Sequence, residues 1–234
     1  MLGRSIVPPR FLTYAPDTGK VCNTMPVFEE RLKKGLARLP RPQESDEARS
    51  PWLTILLDAY YILTIGTALA QTDEEIRRGI PLACGAGCAS CCLRPEVPIS
   101  KLELLGIWWY VTEKLTAKDR ASLIERLLHR HESYACPFLA EAQCVIYPLR
   151  PLACRFLHVF GAPCKTDEIP VDTRPRDIWI PQEAVSPAVL TMLPFFGFTT
   201  EEACHQALAE GYLVSVSTLM SDIPWEVLIT AKRK

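Results

Sequence analysis

Apolar residues recur at helical spacing along much of the chain, and only brief pieces alternate as a strand would. Between Val27 and Leu39, Phe28, Leu32 and Leu36 fall on one face and predict a short helix. The segment from Trp52 to about Arg78 reads as one long helix, stopped by Gly79 and Pro81. Ser100 with Glu103 has the form of a capping box. The helix it opens carries Leu104, Trp108, Val111 and Leu115 as an apolar stripe. Thr116 with Asp119 marks the next start, and that helix is expected to run to about Glu132 with Leu123, Ile124, Leu127 and Leu128 inward. Thr200 caps a further helix through about Glu210, and Pro224 opens a last short turn. Leu213 to Val216 is the best strand candidate. The pattern is mostly α.

Between these elements the pattern breaks down, and prolines mark where. Residues 1–25 show no periodicity and are expected to wrap the surface. Pro40 to Pro51 is polar and proline-bounded, so it reads as a linker. Pro137, Pro148, Pro151 and Pro163 cut the stretch after the fourth helix into short pieces, and residues 165–181 continue irregularly. Three parts follow. Residues 1–51 form an N-terminal extension with a short helix and linker, and 52–165 a helical cysteine-cluster domain. Residues 166–234 form a C-terminal helical extension packed on it.

Composition narrows the function classes. With 234 residues, 48% apolar and 23% charged, the chain can bury a sizeable core. A net charge of −1 gives no basic excess for a nucleic-acid or anionic-membrane partner. The run WLTILLDAYYILTIGTALA approaches the length of a membrane span. Asp58 within it would cost about 2.5–3.5 kcal/mol near a bilayer centre, so a buried helix is expected, with Asp58 a partnered carboxylate rather than a metal ligand. The first residues carry arginines but no continuous apolar core, so no secretory signal is read there and a cytoplasmic location is expected. In that reducing setting, clustered cysteines favour metal over disulfides.

Ten cysteines are present, and eight fall between Cys84 and Cys164. Cys84, Cys88, Cys91 and Cys92 crowd into CGAGCASCC; Cys136, Cys144, Cys154 and Cys164 follow downstream. On a helix the first four would share one arc of about 100°. Gly85 and Gly87 would each cost such a helix about 1 kcal/mol, so a glycine-rich loop entering a helix near Cys88 fits better. Three sulfurs of this set can converge on one centre. The adjacent pair Cys91–Cys92 is awkward for one tetrahedral ion, and one of the two is expected to serve another centre or to stand behind the first. The spacing of Cys84, Cys88 and Cys91 also matches the loop of radical-SAM enzymes, but the alternating strands and helices of their barrel are missing from the pattern. Gly85-x-Gly87 lacks the strand and third glycine of a dinucleotide site.

Taken together, CGAGCASCC, Cys136-Pro137, Cys144 with Tyr147, and Arg150-Pro151 with Cys154-Arg155 resemble the zinc- or iron-chelating cysteine-cluster family of YkgJ-type CxxCxxCC proteins. Cys164 takes the place of its final cysteine. The resemblance spans about a third of the chain. It implies chelation and a cytoplasmic location, without an established reaction. Some relatives carry a flagellin lysine methylase label, but no flagellin-specific or SAM-binding feature stands out here.

Eight thiolates suit two four-cysteine sites, or one such site with the remainder structural, and both zinc and iron–sulfur clusters accept four cysteines. The absence of paired two-residue knuckles, the loop with one distant cysteine, and apolar neighbours such as Ile146, Leu152, Phe156 and Phe160 favour an iron–sulfur cluster, expected as [4Fe–4S]. Cys84, Cys88, Cys91 and Cys154 are its candidate ligands, with all eight cysteines as candidate metal ligands and zinc as the alternative cofactor. Arg94, Arg150 and Arg155 stand where they could offset thiolate charge, Tyr147 lies between two cysteines, and His158 is the one histidine in reach. Cys204 lies in an apolar helical patch and reads as core; Cys22 is unassigned. The expectation is an irregular helical domain organised around a cysteine-rich metal centre. Its role is redox or electron transfer, a structural zinc module, or metal delivery and storage. No triad, carboxylate dyad or phosphate loop points to an enzyme reaction, and the redox or protein partner is not legible.

Overall fold

The computed structural model describes residues 25–85, 87–93, 96–129, 135–165 and 168–230. The predicted N-terminal surface segment, Cys22, Arg94 and His131 lie outside them. In chain order the helices are α1 (Met25–Arg38), α2 (Pro51–Arg78), α3 (Lys101–Trp109), α4 (Ala117–Leu128), α5 (Ala153–Phe156), α6 (Pro170–Thr173), α7 (Gln182–Met192), α8 (Glu201–Ala209), α9 (Tyr212–Ser215) and α10 (Trp225–Thr230). Strands are two residues long and form three antiparallel pairs. β1 (Pro98–Ile99) joins β6 (Thr218–Leu219), β2 (Leu139–Ala140) joins β3 (Gln143–Cys144), and β4 (His158–Val159) joins β5 (Ile178–Trp179). The fold is mostly α.

The core is built around α2. Pro51 supplies a preset φ in its first turn, and Gly79, left-handed at φ +66°, ends it by giving its N–H to the Glu75 carbonyl. Leu53, Leu56, Ala59, Tyr60, Leu63, Gly66 and Ala70 recur three or four apart and are buried. That face packs against α7, α1 and α3. At Gly66 the two longest-packed helices meet backbone to backbone, since a Cβ there would lie 2.7 Å from the Ala184 Cβ. By length and composition α2 could cross a membrane, with a mean hydropathy of 1.6 in its most apolar window. Within the fold it is the central core helix. Asp58 is partnered as expected, accepting a 2.8 Å hydrogen bond from Arg41 Nε.

Several local expectations hold. The Ser100–Glu103 capping box forms, and the Thr116 and Thr200 side chains accept from the backbone N–H groups of Asp119 and Ala203. The 40–51 linker is more ordered than its composition implied. Arg41 grips Glu47 at 2.7 and 2.8 Å, and Trp109 Nε1–H reaches back to Asp46 at 3.0 Å.

Other expectations are corrected. The buried side of α3 is Leu102, Glu103, Gly106, Ile107 and Trp109, while Leu104 and Trp108 are only half-buried. The helix then widens into a π turn at Tyr110–Lys114, closing Leu115 N–H onto the Tyr110 carbonyl, with Val111 buried as expected. α4 ends at Leu128, which is 58% exposed rather than inward. Leu213 to Ser215 lie in α9 and Val216 is its C-cap, because so short a run carries no period long enough to separate strand from helix. α7 was not anticipated, since Pro187 lies inside it and interrupts the pattern.

Candidate metal centre

The first cysteine segment is held at both ends by backbone. Residues 81–83 run antiparallel to 159–161. Ala83 N–H donates to the Val159 carbonyl at 2.8 Å, Gly161 N–H to the Pro81 carbonyl at 3.0 Å, and Leu82 bridges Phe160. The next ladder position is taken by sulfur, with Val159 N–H donating to Cys84 Sγ at 3.3 Å. The chain then leaves through Gly85 and Gly87, the latter at φ +81°, with Cys88 N–H closing on the Gly85 carbonyl. A single 3-10 turn, Ser90–Leu93, follows, so the helix expected near Cys88 is only this turn. Cys88 and Cys91 are exposed; Cys84 and Cys92 are half-buried.

The second segment is folded by three short devices. In the β2–β3 hairpin Leu139 faces Cys144 across a tight turn whose Glu141 and Ala142 both adopt positive φ. Cys136 N–H donates to the Cys92 carbonyl at 2.6 Å, which ties this segment to the first, and its sulfur lies 3.6 Å from Met220 Sδ. Cys154 stands in the one-turn α5, where its N–H reaches the Pro151 carbonyl. That turn is anchored from behind. Buried Glu103 accepts from Leu152 N–H at 2.7 Å while also accepting from Ser100 N–H and Oγ. Arg155 donates to the carbonyls of Arg150 and Pro148, and its guanidinium lies over the Tyr60 ring at 4.1 Å.

Electrostatics shows which thiols face one another. Burial pushes Cys154 well above the ordinary thiol value, and Cys91, Cys136 and Cys144 push it further, against Arg150. Cys136 is pushed up to about 12, by burial first, with Cys144 and Cys91 adding. Cys144 is raised by burial, with Arg150 and Arg155 opposing and Cys91 adding. Cys91 is raised chiefly by its hydrogen bond with Cys92 and then by burial. Cys91, Cys136, Cys144 and Cys154 thus lie within electrostatic reach of one another. A second group forms around the 81–84 ladder. Cys84 is raised by burial against the Val159 N–H, and then by Cys88, Cys164 and Cys91. Cys164 is raised by burial against Arg174, and then by Cys88, Glu168 and Cys91. Arg174 Nη2 lies 3.8 Å from Cys164 Sγ.

Of the set expected from spacing, Cys84, Cys88, Cys91 and Cys154, Cys91 acts electrostatically on both Cys84 and Cys154. Cys84 and Cys88 stand with Cys164, and Cys154 stands with Cys136 and Cys144; Cys91 faces both groups. Among the described residues, no three Cys, His, Asp or Glu side chains are closed into a ready-made metal set. The donor set nevertheless suits a soft thiophilic metal, and a buried donor beside the inner thiols lacks a partner. Arg150 lowers the Cys91, Cys144 and Cys154 thiols, yet its buried Nε–H has no acceptor. A thiolate or a cluster sulfide would supply one.

His158 is half-buried with its buried Nε2 unpartnered, its ring 5.3 Å from Trp179, and its pKa is lowered to about 4 by burial and then by Arg150. Tyr147 is exposed and stacks on Arg150. Cys204 is half-buried and donates to the Phe198 carbonyl. Sequence reasoning missed the Val159 N–H, Met220 and Arg174. None of them carries a local signal, because each reaches a thiol only through tertiary contact.

Residues 83–173 match the CxxCxxCC family model. It is described as a putative zinc- or iron-chelating domain. The matched segment holds all eight cysteines from Cys84 to Cys164, and it accords with the resemblance carried by the sequence. Metal binding is thus the general function of this segment. No curated protein and no solved structure matches the chain.

Proposed function

We propose that Cys91, Cys136, Cys144 and Cys154 hold an iron–sulfur cluster, [4Fe–4S], and that the protein is a cytoplasmic redox or electron-transfer protein. The observation that carries this reading is the buried, unpartnered Arg150 Nε–H, whose charge acts on Cys91, Cys144 and Cys154, with Cys136 within electrostatic reach of the same three thiols. When bound, the cluster supplies one-electron chemistry. The chain's own residues hold and shield it. Phe138, Ile146, Leu149 and Phe156 are buried in the core that Cys136 and Cys144 pack against, which keeps water from that side. Arg150 and Arg155 offset thiolate charge. Cys91 is the exposed member, so the partner's approach is assigned to its face. A cytoplasmic setting is assigned because a reducing compartment keeps clustered thiols available for metal.

The test is anaerobic purification of the full chain with iron, zinc and acid-labile sulfide assays and an absorption spectrum on one sample. The expected result is a brown protein with about four iron and four sulfide, lost in Cys154→Ser. A colourless wild-type protein holding zinc and no sulfide would replace the cluster with a structural zinc site on the same thiols.

A further inference from the structure

Outside the cysteine segment, a cleft of about 380 Å³ opens where the end of α1, the 40–50 linker, the first half of α2 and the end of α7 meet. That volume is at the small end of the range for small-molecule sites. Leu36 and Ile62, both half-buried, give it an apolar wall. Thr191 closes the α7 side, with its hydroxyl already donated to the Pro187 carbonyl at 2.9 Å.

The polar side of the cleft decides which chemistry it suits. Arg41 is already engaged, with Nε on Asp58 Oδ1 at 2.8 Å and Nη1 and Nη2 on Glu47 at 2.8 and 2.7 Å. One guanidinium between two carboxylates leaves this trio with a net charge of −1. Asp58 gives Arg41 one oxygen only, and its side chain is 45% exposed, so the other oxygen is left as an acceptor. Tyr61 also lines the cleft, and its buried hydroxyl has no hydrogen-bond partner, where a buried phenol normally finds one. An anion would meet the Asp58 carboxylate rather than a free cation. A metal ion would find one carboxylate already shared with Arg41. A cationic donor with an apolar body meets both sides of the cleft.

We propose that this cleft binds a small primary amine in its ammonium form, carrying a short hydrocarbon body. The ammonium donates to the free Asp58 oxygen and to the Tyr61 hydroxyl, and the hydrocarbon lies on Leu36 and Ile62. Gln43, exposed on the linker, stands at the mouth. The site is independent of the metal centre, because none of its residues falls within the matched segment, 83–173.

The experiment is calorimetric titration of the full chain with n-hexylammonium, n-hexanol and n-hexanoate, which share a chain and differ in head group. Wild type, Asp58→Asn and Gln43→Lys are compared. The expected result is saturable binding of one hexylammonium to wild type and none of hexanoate. Hexanol binds at least about tenfold more weakly, the factor that a hydrogen bond to a charged group is worth. Asp58→Asn weakens hexylammonium by at least the same factor. Because that variant also loosens Arg41, Gln43→Lys keeps the test decisive. It alters an exposed side chain, leaves the fold intact and sets a cation at the mouth, which should weaken hexylammonium roughly fivefold. Heats that never saturate, equal binding of hexanoate and hexylammonium, or an unchanged hexylammonium affinity in Gln43→Lys would each overturn the amine site.

Discussion

The α1–α2–α7 framework and the cysteine-rich segment are held together by different physics. In the framework, long helices bury periodic apolar faces, and Gly66 lets α2 and α7 touch. In the cysteine segment after α4, two-residue strands, one-turn helices and tight turns carry single buried anchors such as Phe138, Ile146, Phe156 and Phe160 in place of periodic faces. What gathers the segment is a handful of backbone bonds and eight thiols whose charged forms repel. Where binding of an ion is coupled to folding, such a segment is the part expected to gain order from it.

The largest expected effect breaks this comparison directly. Stripping metal with a chelator should make residues 83–173 sensitive to limited proteolysis while most of the far-UV helical signal survives. Simultaneous loss of both would show that the framework also depends on the ion. A smaller effect comes from the other side. Gly66→Val forces a side chain into the Ala184 contact and should destabilise the protein by about 1–3 kcal/mol in denaturant unfolding, with metal content unchanged.

The smallest effect is a pH dependence of the metal-free protein. Burial raises Cys136 to about 12 in the fold, so folding favours its neutral thiol. That contribution is complete below the unfolded thiol value near ~8.5 and is lost as pH rises towards about 12. Thermal melts of metal-free protein should therefore fall between neutral pH and pH 10, and Cys136→Ala should fall less.

The same division explains what could be read from the chain. Ser100 with Glu103, Thr116 with Asp119, and Gly79 act within one turn of their own positions, so their roles were legible locally. The long helix was legible because its period persists for many turns. α7 was hidden by Pro187 and by an inward face of small residues, Ala184 and Ala188. The cysteines were legible as a metal-binding set, but their placement in the fold was not. It depends on residues 81–83 finding 159–161, and on the Glu141–Ala142 turn bringing Cys144 back across from Leu139. Spacing along the chain carries no record of either pairing.

Glu103 has a consequence for how this sequence can drift. One buried carboxylate accepts from the Ser100 N–H and hydroxyl at the start of α3 and from Leu152 N–H behind the Cys154 turn. A neutral change at either end is therefore not independent of the other. Replacing Glu103 with a residue that still caps α3 leaves the Leu152 donor stranded, and a residue that still reaches Leu152 must also find Ser100. Lineages that lose this glutamate would have to acquire two compensating changes together, so the position is constrained by two regions of the molecule although it touches no metal.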